Sequence, residues 1–213
     1  IEVFGNFLEG VPSITNGDEL AGATAVERLV SSGCNRICLF THNQYDQYQQ
    51  DAAPFSNAWR FYEGCASAAK ACGVPLSVRT HPLAISPGDT YEMARQSARS
   101  WAVPEPEWMG YCCFSIEQGR ALTSHLQLQR YEPATETAAV VYGDPRIFCD
   151  RPDWVAMVQP DVRAVGCAAS EDLLKMIEGE TVEDRRITPR LMTDRDDLDL
   201  TQKQLQRAAT TAK

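Results

Sequence analysis

Short apolar runs alternate with stretches of helical period along nearly the whole chain, and that alternation limits the fold more than any other feature. "RICLFT" at 36–41, "PLSVRT" at 75–80, "EWMGYCCF" at 107–114, "TAAVVYG" at 137–143 and "WVAMV" at 154–158 read as strands. Between them, 18–32, 58–72, 89–102, 115–127 and 161–178 carry apolar residues at helical spacing. The first of these helices turns Leu20, Ala25, Val26, Leu29 and Val30 to its buried side, is rich in small residues, and stops at Gly33. Asp89 with Glu92, and Ser115 with Gln118, have the spacing of capping boxes. Residues 1–4 and "RITPRLM" at 186–192 read as the first and last extended segments. Such alternation builds βαβ units and therefore an α/β fold with a mainly parallel sheet covered on both faces. Open sheets of this kind take ligands at the carboxyl ends of their strands. Here those positions are His42 to Gln44, His81, Ser115 and Asp144. The polar segment "HNQYDQYQQDAAPFSN" after the second strand is too long for a tight connection, and loops of that length are usually functional or mobile.

Composition narrows the function classes. With 213 residues and 44% apolar content the chain can bury a core, and a net charge of −9 argues against a nucleic-acid surface, which needs clustered Lys and Arg. The eight cysteines mostly fall inside apolar periodic segments, where a thiol acts as a small hydrophobe, so a reducing, cytoplasmic compartment is expected. Cys65 and Cys72, seven apart, read as one core-facing helical pair. No leader and no apolar run near twenty residues occurs. The opening "IEVFG" has no initiator methionine and reads as the middle of a longer protein. Phosphate-cradle motifs, the G-x-S-x-G elbow, C-x-x-C and H-E-x-x-H are all absent, so neither a cofactor nor a metal is expected. The vicinal Cys112 and Cys113 leave an enzyme using a strand-end Cys or Asp as a reading of a different class.

From Asp18 the residues Gly22, Ala25, Leu29, Val30, Gly33, Arg36 and Ile37 fall in the pattern D-x-x-x-G-x-x-A-x-x-x-L-V-x-x-G-x-x-R-I. This resembles the first helix and strand of the C-terminal lobe in the LacI/GalR transcriptional regulators, with Cys34 where that family usually has His. "GCASAAKACGV", "WMGYCCFSIEQGRAL", "VVYGDP", "VGCAASEDLLKMIEG" and "ITPRLMTDRDD" resemble later family segments in the same order. The resemblance implies a type I periplasmic-binding-protein-like fold: doubly wound, mainly parallel sheets in two lobes, with the first half of the N-terminal lobe absent. It divides the chain into a remnant strand of that lobe at 1–12, the C-terminal lobe at 13–150, a return segment at 151–180, a closing strand at 181–196 and a polar tail at 197–213. It further implies a domain that senses a small polar effector, a sugar or derivative, between the lobes. The expected assembly is a homodimer that contacts operator DNA through a headpiece outside this chain, with no chemistry on the ligand and no membrane partner. A sugar transporter's solute-binding protein is the alternative within the fold.

Several residues then become candidates for the ligand. Asp144, between Gly143 and Pro145 at a strand end, reads as a hydroxyl-binding carboxylate or as a turn-forming Asp. Arg60 stands four residues before Gly64, where the family's effector-binding Arg stands three before, so either Arg60 is displaced by one or Phe61 stacks in its place. Trp59 reads equally as a stacking or a packing residue. Tyr111 aligns with an often aromatic pocket position, Ser115 is already accounted for by capping, and Asn43 and Gln44 lie just beyond a strand.

Overall fold

The computed structural model describes residues 2–3, 11–42, 57–82, 86–101, 108–133 and 135–192. Its elements run β1 (Glu2–Val3), β2 (Ser13–Asn16), α1 (Asp18–Ser31), β3 (Arg36–His42), α2 (Asn57–Cys72), β4 (Leu76–His81), α3 (Pro87–Trp101), β5 (Met109–Cys113) and α4 (Ile116–Leu128). They continue with β6 (Ala139–Tyr142), β7 (Val155–Gln159), α5 (Val162–Ile177), β8 (Arg185–Ile187) and β9 (Arg190–Met192). A six-stranded sheet has the order β4-β3-β5-β6-β7-β9, and a three-stranded sheet the order β1-β2-β8. All pairings are parallel except β7 with β9.

The alternation of side chains along the central strands explains why they are apolar throughout. Cys38, Phe40, Tyr111, Cys113, Val141 and Met157 face one cluster with Ala94 and Ala98 of α3 and Leu122 and Leu126 of α4. Their sequence neighbours Ile37, Leu39, Cys112, Val140 and Val158 face a second cluster with Val26 and Leu29 of α1 and Phe61 and Cys65 of α2. A parallel sheet buried on both faces has no room for a polar stripe. Each large apolar side chain buried there contributes about 1.5–3 kcal/mol.

The small residues of α1 serve its crossing with α2. A Cβ on Gly22 would stand 2.0 Å from the Phe61 carbonyl oxygen, and one on Gly64 would stand 1.8 Å from that of Glu19. The two backbones therefore meet directly, and Ala21 and Ala25 fill the layer beneath. Leu20, expected on the buried side, is 48% exposed because it lies just outside this crossing. Cys34 is buried, its Sγ 3.6 Å from the Thr137 carbonyl and its Cβ 3.1 Å from the place a Gly110 Cβ would take. That narrow site suits a small thiol.

Capping is local, and the structure corrects it in one place. Ser115 accepts from the Gln118 amide while the Gln118 side chain accepts from the Ser115 amide, the expected box. At α3 the cap is Ser86, which accepts from the Asp89 amide and donates to the Asp89 carboxylate, so that helix starts before the expected Asp89–Glu92 pair. Of the cysteines, all eight free, Cys72, Cys149 and Cys167 are exposed, so Cys72 does not share the core with Cys65.

Strand partners differ most from the expected division. β2 pairs in the small sheet, whereas β7, at 155–159, pairs in the large one. "RITPRLM" breaks at Thr188 and Pro189 into β8 of the small sheet and β9 of the large one. Apolar period marks a strand without naming its neighbour. The chain thus passes between the two sheets three times: at Gly17, at Pro160 and Asp161, and at Thr188 and Pro189. In the small sheet α5 rests Val165 and Ala168 on Ile14, with Ala169 and Ile187 beside them. The polar tail at 197–213 lies outside the described residues.

Candidate functional site

The first passage between the sheets places Asp18 at the start of α1, only 1% exposed. Its Oδ2 accepts from Arg60 of α2 at 2.9 and 3.3 Å, and its Oδ1 accepts from the Tyr142 hydroxyl at 2.7 Å. Arg60 also donates to the Asn57 side chain at 2.7 Å. Burial pushes the Asp18 carboxyl up from its ordinary value, and the bonds from Tyr142 and Arg60 only partly offset this. Burial and the Asp18 charge hold the Tyr142 hydroxyl in its neutral form. This triad joins the first passage, the start of α2 and the carboxyl end of β6.

Because β3 to β7 are parallel, their carboxyl ends share one edge of the large sheet. There the rings of Phe61, Phe114 and Tyr142 pack together, with His42 edge-on to Phe114 at 5.7 Å. Burial pushes both His42 and His81 down from the usual imidazole value, and His81 lowers His42 further. His81 is held on both nitrogens: Nδ1 lies 2.7 Å from the Pro82 carbonyl and Nε2 is 2.9 Å from the Gln118 side-chain nitrogen. A neutral ring with its proton on Nδ1 satisfies both, so β4 is fastened to the cap of α4. Thr41 Oγ1 and His42 Nδ1 are buried at this edge without a hydrogen-bond partner among the described residues.

Asp144 follows β6 and holds Arg146, whose Nε lies 2.9 and 3.0 Å from its two oxygens. These bonds pull the Asp144 carboxyl below its ordinary value. A groove of about 570 Å³ opens beside the first and third passages, bounded by Asn16, Glu19, Arg60, Glu63, Ser67 and Arg186 among others. Such a volume suits a small ligand. No group of three or more His, Cys, Asp or Glu among the described residues could hold a metal ion, and none of their helices is long and apolar enough to cross a membrane.

The predicted candidates therefore separate. Asp144 and Ser115 stand at the carboxyl edge, and Arg60 borders the groove with its guanidinium already engaged. Trp59 is half-buried and packs against Tyr62. Phe61 and Tyr111, 0% and 2% exposed, face the two core clusters and offer no surface to a ligand in this arrangement. Asn43 lies outside the described residues. The Asp18–Tyr142 bond has no local signal in the sequence, because its partners are 124 residues apart.

Among solved structures, the chain is similar to a LacI family transcriptional regulator from Enterococcus faecium with bound ribose, at 15% identity and a TM-score of 0.67, covering 87% of this chain and 65% of that one. It is likewise similar to a LacI family transcriptional regulator from Arthrobacter sp. FB24, at 18% identity and TM-score 0.69, covering 89% and 66%. A periplasmic binding protein/LacI transcriptional regulator from Alkaliphilus metalliredigens, complexed with D-xylulofuranose, matches at 16% identity and TM-score 0.67, covering 89% and 67%. The chain has the fold of the LacI-family regulators. That LacI-type, periplasmic-binding-protein-like fold accounts for two sheets joined by three passages, although the chain spans only about two thirds of the length of these neighbours. No family model and no curated protein matches the sequence.

Proposed function

We propose that the chain is the effector-sensing part of a transcriptional regulator and binds a small polar molecule, a sugar or sugar derivative, where its two sheets meet. The observation that carries this reading is the threefold passage between the sheets, with polar side chains gathered at it. A ligand touching both sides of such a junction favours one angle between them over others by its differential affinity. Three bonds already link the passages: the Gly17 amide to the Ile187 carbonyl at 2.8 Å, Arg190 to Asp161 at 2.9 Å and Arg186 to Glu19 at 3.4 Å. The sugars held by two of the similar structures support a carbohydrate as the ligand. In this reading Asp144 and Ser115, with Trp59 and the segment around Asn43, contact the sugar, while Arg60 acts through Asp18. The regulator works as a homodimer in the cytoplasm, and a headpiece outside this chain reads the operator.

Thermal denaturation with D-ribose, D-xylulose and a wider panel of sugars tests the proposal. A ligand at one hundred times its Kd should stabilise the chain by about 2.7 kcal/mol and be recovered unchanged. Turnover of a stabilising sugar would overturn the sensor reading in favour of an enzyme.

A further inference from the structure

The arginines that line the groove, the one beside Asp144 and Arg190 at the third passage are already matched to carboxylates, while Arg163, exposed in the first turn of α5, forms no ion pair among the described residues and does not line the groove. Arg60 lies on Asp18, Arg146 on Asp144, Arg186 on Glu19 and Arg190 on Asp161. The connections that leave the carboxyl ends add little positive charge: residues 43–56 contain no Lys or Arg but two Asp, residues 82–86 contain neither sign, and Arg146 is the one basic residue in 143–150. Glu63 on the groove forms no ion pair among the described residues.

We infer that the ligand of this junction is an uncharged polyhydroxy compound, and that phosphorylated or carboxylated sugars are rejected. The inference rests on the sensor reading above and sharpens its ligand class. To seat a phosphate in the groove or beside Asp144 the protein would have to draw an arginine off its carboxylate. At Arg60 that would leave Asp18 buried with an uncompensated charge, which is among the most costly changes a folded protein can undergo. At Arg146 and Arg186 the displaced carboxylates would stay within a few ångströms of the incoming dianion and repel it. A neutral polyol asks for no such exchange, because hydroxyls donate to Asp144 or Glu63 and accept from side-chain hydroxyls while the ion pairs stand. Burial works in the same direction at His42 and His81, since it disfavours their cationic forms.

Calorimetric titration of the full chain with matched pairs tests this: D-ribose against D-ribose 5-phosphate, and D-glucose against D-glucose 6-phosphate and D-gluconate. The neutral member of a binding pair should have a Kd at least tenfold lower than its anionic partner. In Asp144→Asn, which releases Arg146, that gap should narrow severalfold. A phosphorylated member that binds the unaltered chain as tightly as its neutral partner would overturn the inference and leave the sensor reading standing. An unchanged gap in Asp144→Asn would overturn the part assigned to that ion pair. If no member of these pairs binds, the pairs are rebuilt on whichever sugar of the wider panel stabilises the chain, and a panel with no binder at all would overturn the sensor reading and the inference with it.

Discussion

The two sheets share an architecture and differ in the size of the apolar core packed on them. In the six-stranded sheet both faces are sealed by helices, and residues such as Phe40, Leu39, Leu122 and Val140 are wholly buried. The three-stranded sheet buries Ile14, Val165 and Ala168, while its helix α5 leaves Leu173, Leu174 and Ile177 exposed, Ile177 at 73%. Every residue of β2 is buried, yet among the described residues the apolar cluster on the small sheet is far smaller than either cluster of the large one, and stability follows the apolar surface buried. The large sheet should therefore hold the stability of the chain, with the small sheet following it.

Substitutions can break or sharpen that contrast. The largest effect is expected for Gly64→Ala, whose Cβ meets the Glu19 backbone at 1.8 Å. It should cost on the order of 3 kcal/mol or more in urea unfolding by forcing α1 and α2 apart. Leu122→Ala, in the large core, should cost about 3 kcal/mol by leaving a cavity. Val165→Ala, beneath α5, should cost about 1 kcal/mol and raise hydrogen exchange only around β2 and β8. If it instead lowered the protection of β3 and β5, the two sheets would be one cooperative unit. Leu174→Ala should change stability by less than about 0.5 kcal/mol, since that side chain is largely in water.

The smallest effect should come from acid titration, read by carboxyl NMR. Asp18 is shifted upward, so its contribution is fully present below its unfolded value near 3.8 and is lost as pH rises through the higher folded value. Asp144 is shifted downward, so its contribution is present above that same unfolded value and is lost as pH falls through the lower folded one. The two carboxyls should titrate on opposite sides of the ordinary aspartate value. Coincident titration would remove the electrostatic distinction between the junction and the strand end.

What was legible in the sequence is what short-range physics decides. The helices, the central strands and the Ser115–Gln118 box depend on residues a few positions apart, and they stand where period and capping place them. The switch of sheet inside "RITPRLM" has one local sign, Pro189, which cannot donate to a ladder. The membership of β7 has none, because Val155 to Gln159 would suit either sheet equally well. Pocket residues were the least legible. An aromatic such as Phe61 or Tyr111 serves a core or a ligand with the same sequence signature, and only the packing of distant strands decides which. Asp18 opens the D-x-x-x-G pattern, but its tie to Tyr142 depends on β6 arriving beside α1.

The threefold passage also sets a timetable for assembly. The parallel strands of the large sheet, β3 to β7, come from one continuous stretch, 36–159, and can pair as soon as that stretch leaves the ribosome. The small sheet cannot. Its β2 finds β8 only through a link such as Ser13 to Asp184, 171 residues apart, so the ends of a very long loop must meet first. Until then β2 waits with an open edge, and the paired strands β3 to β7 are the platform that brings Arg185 to Ile14 before β9 closes the large sheet.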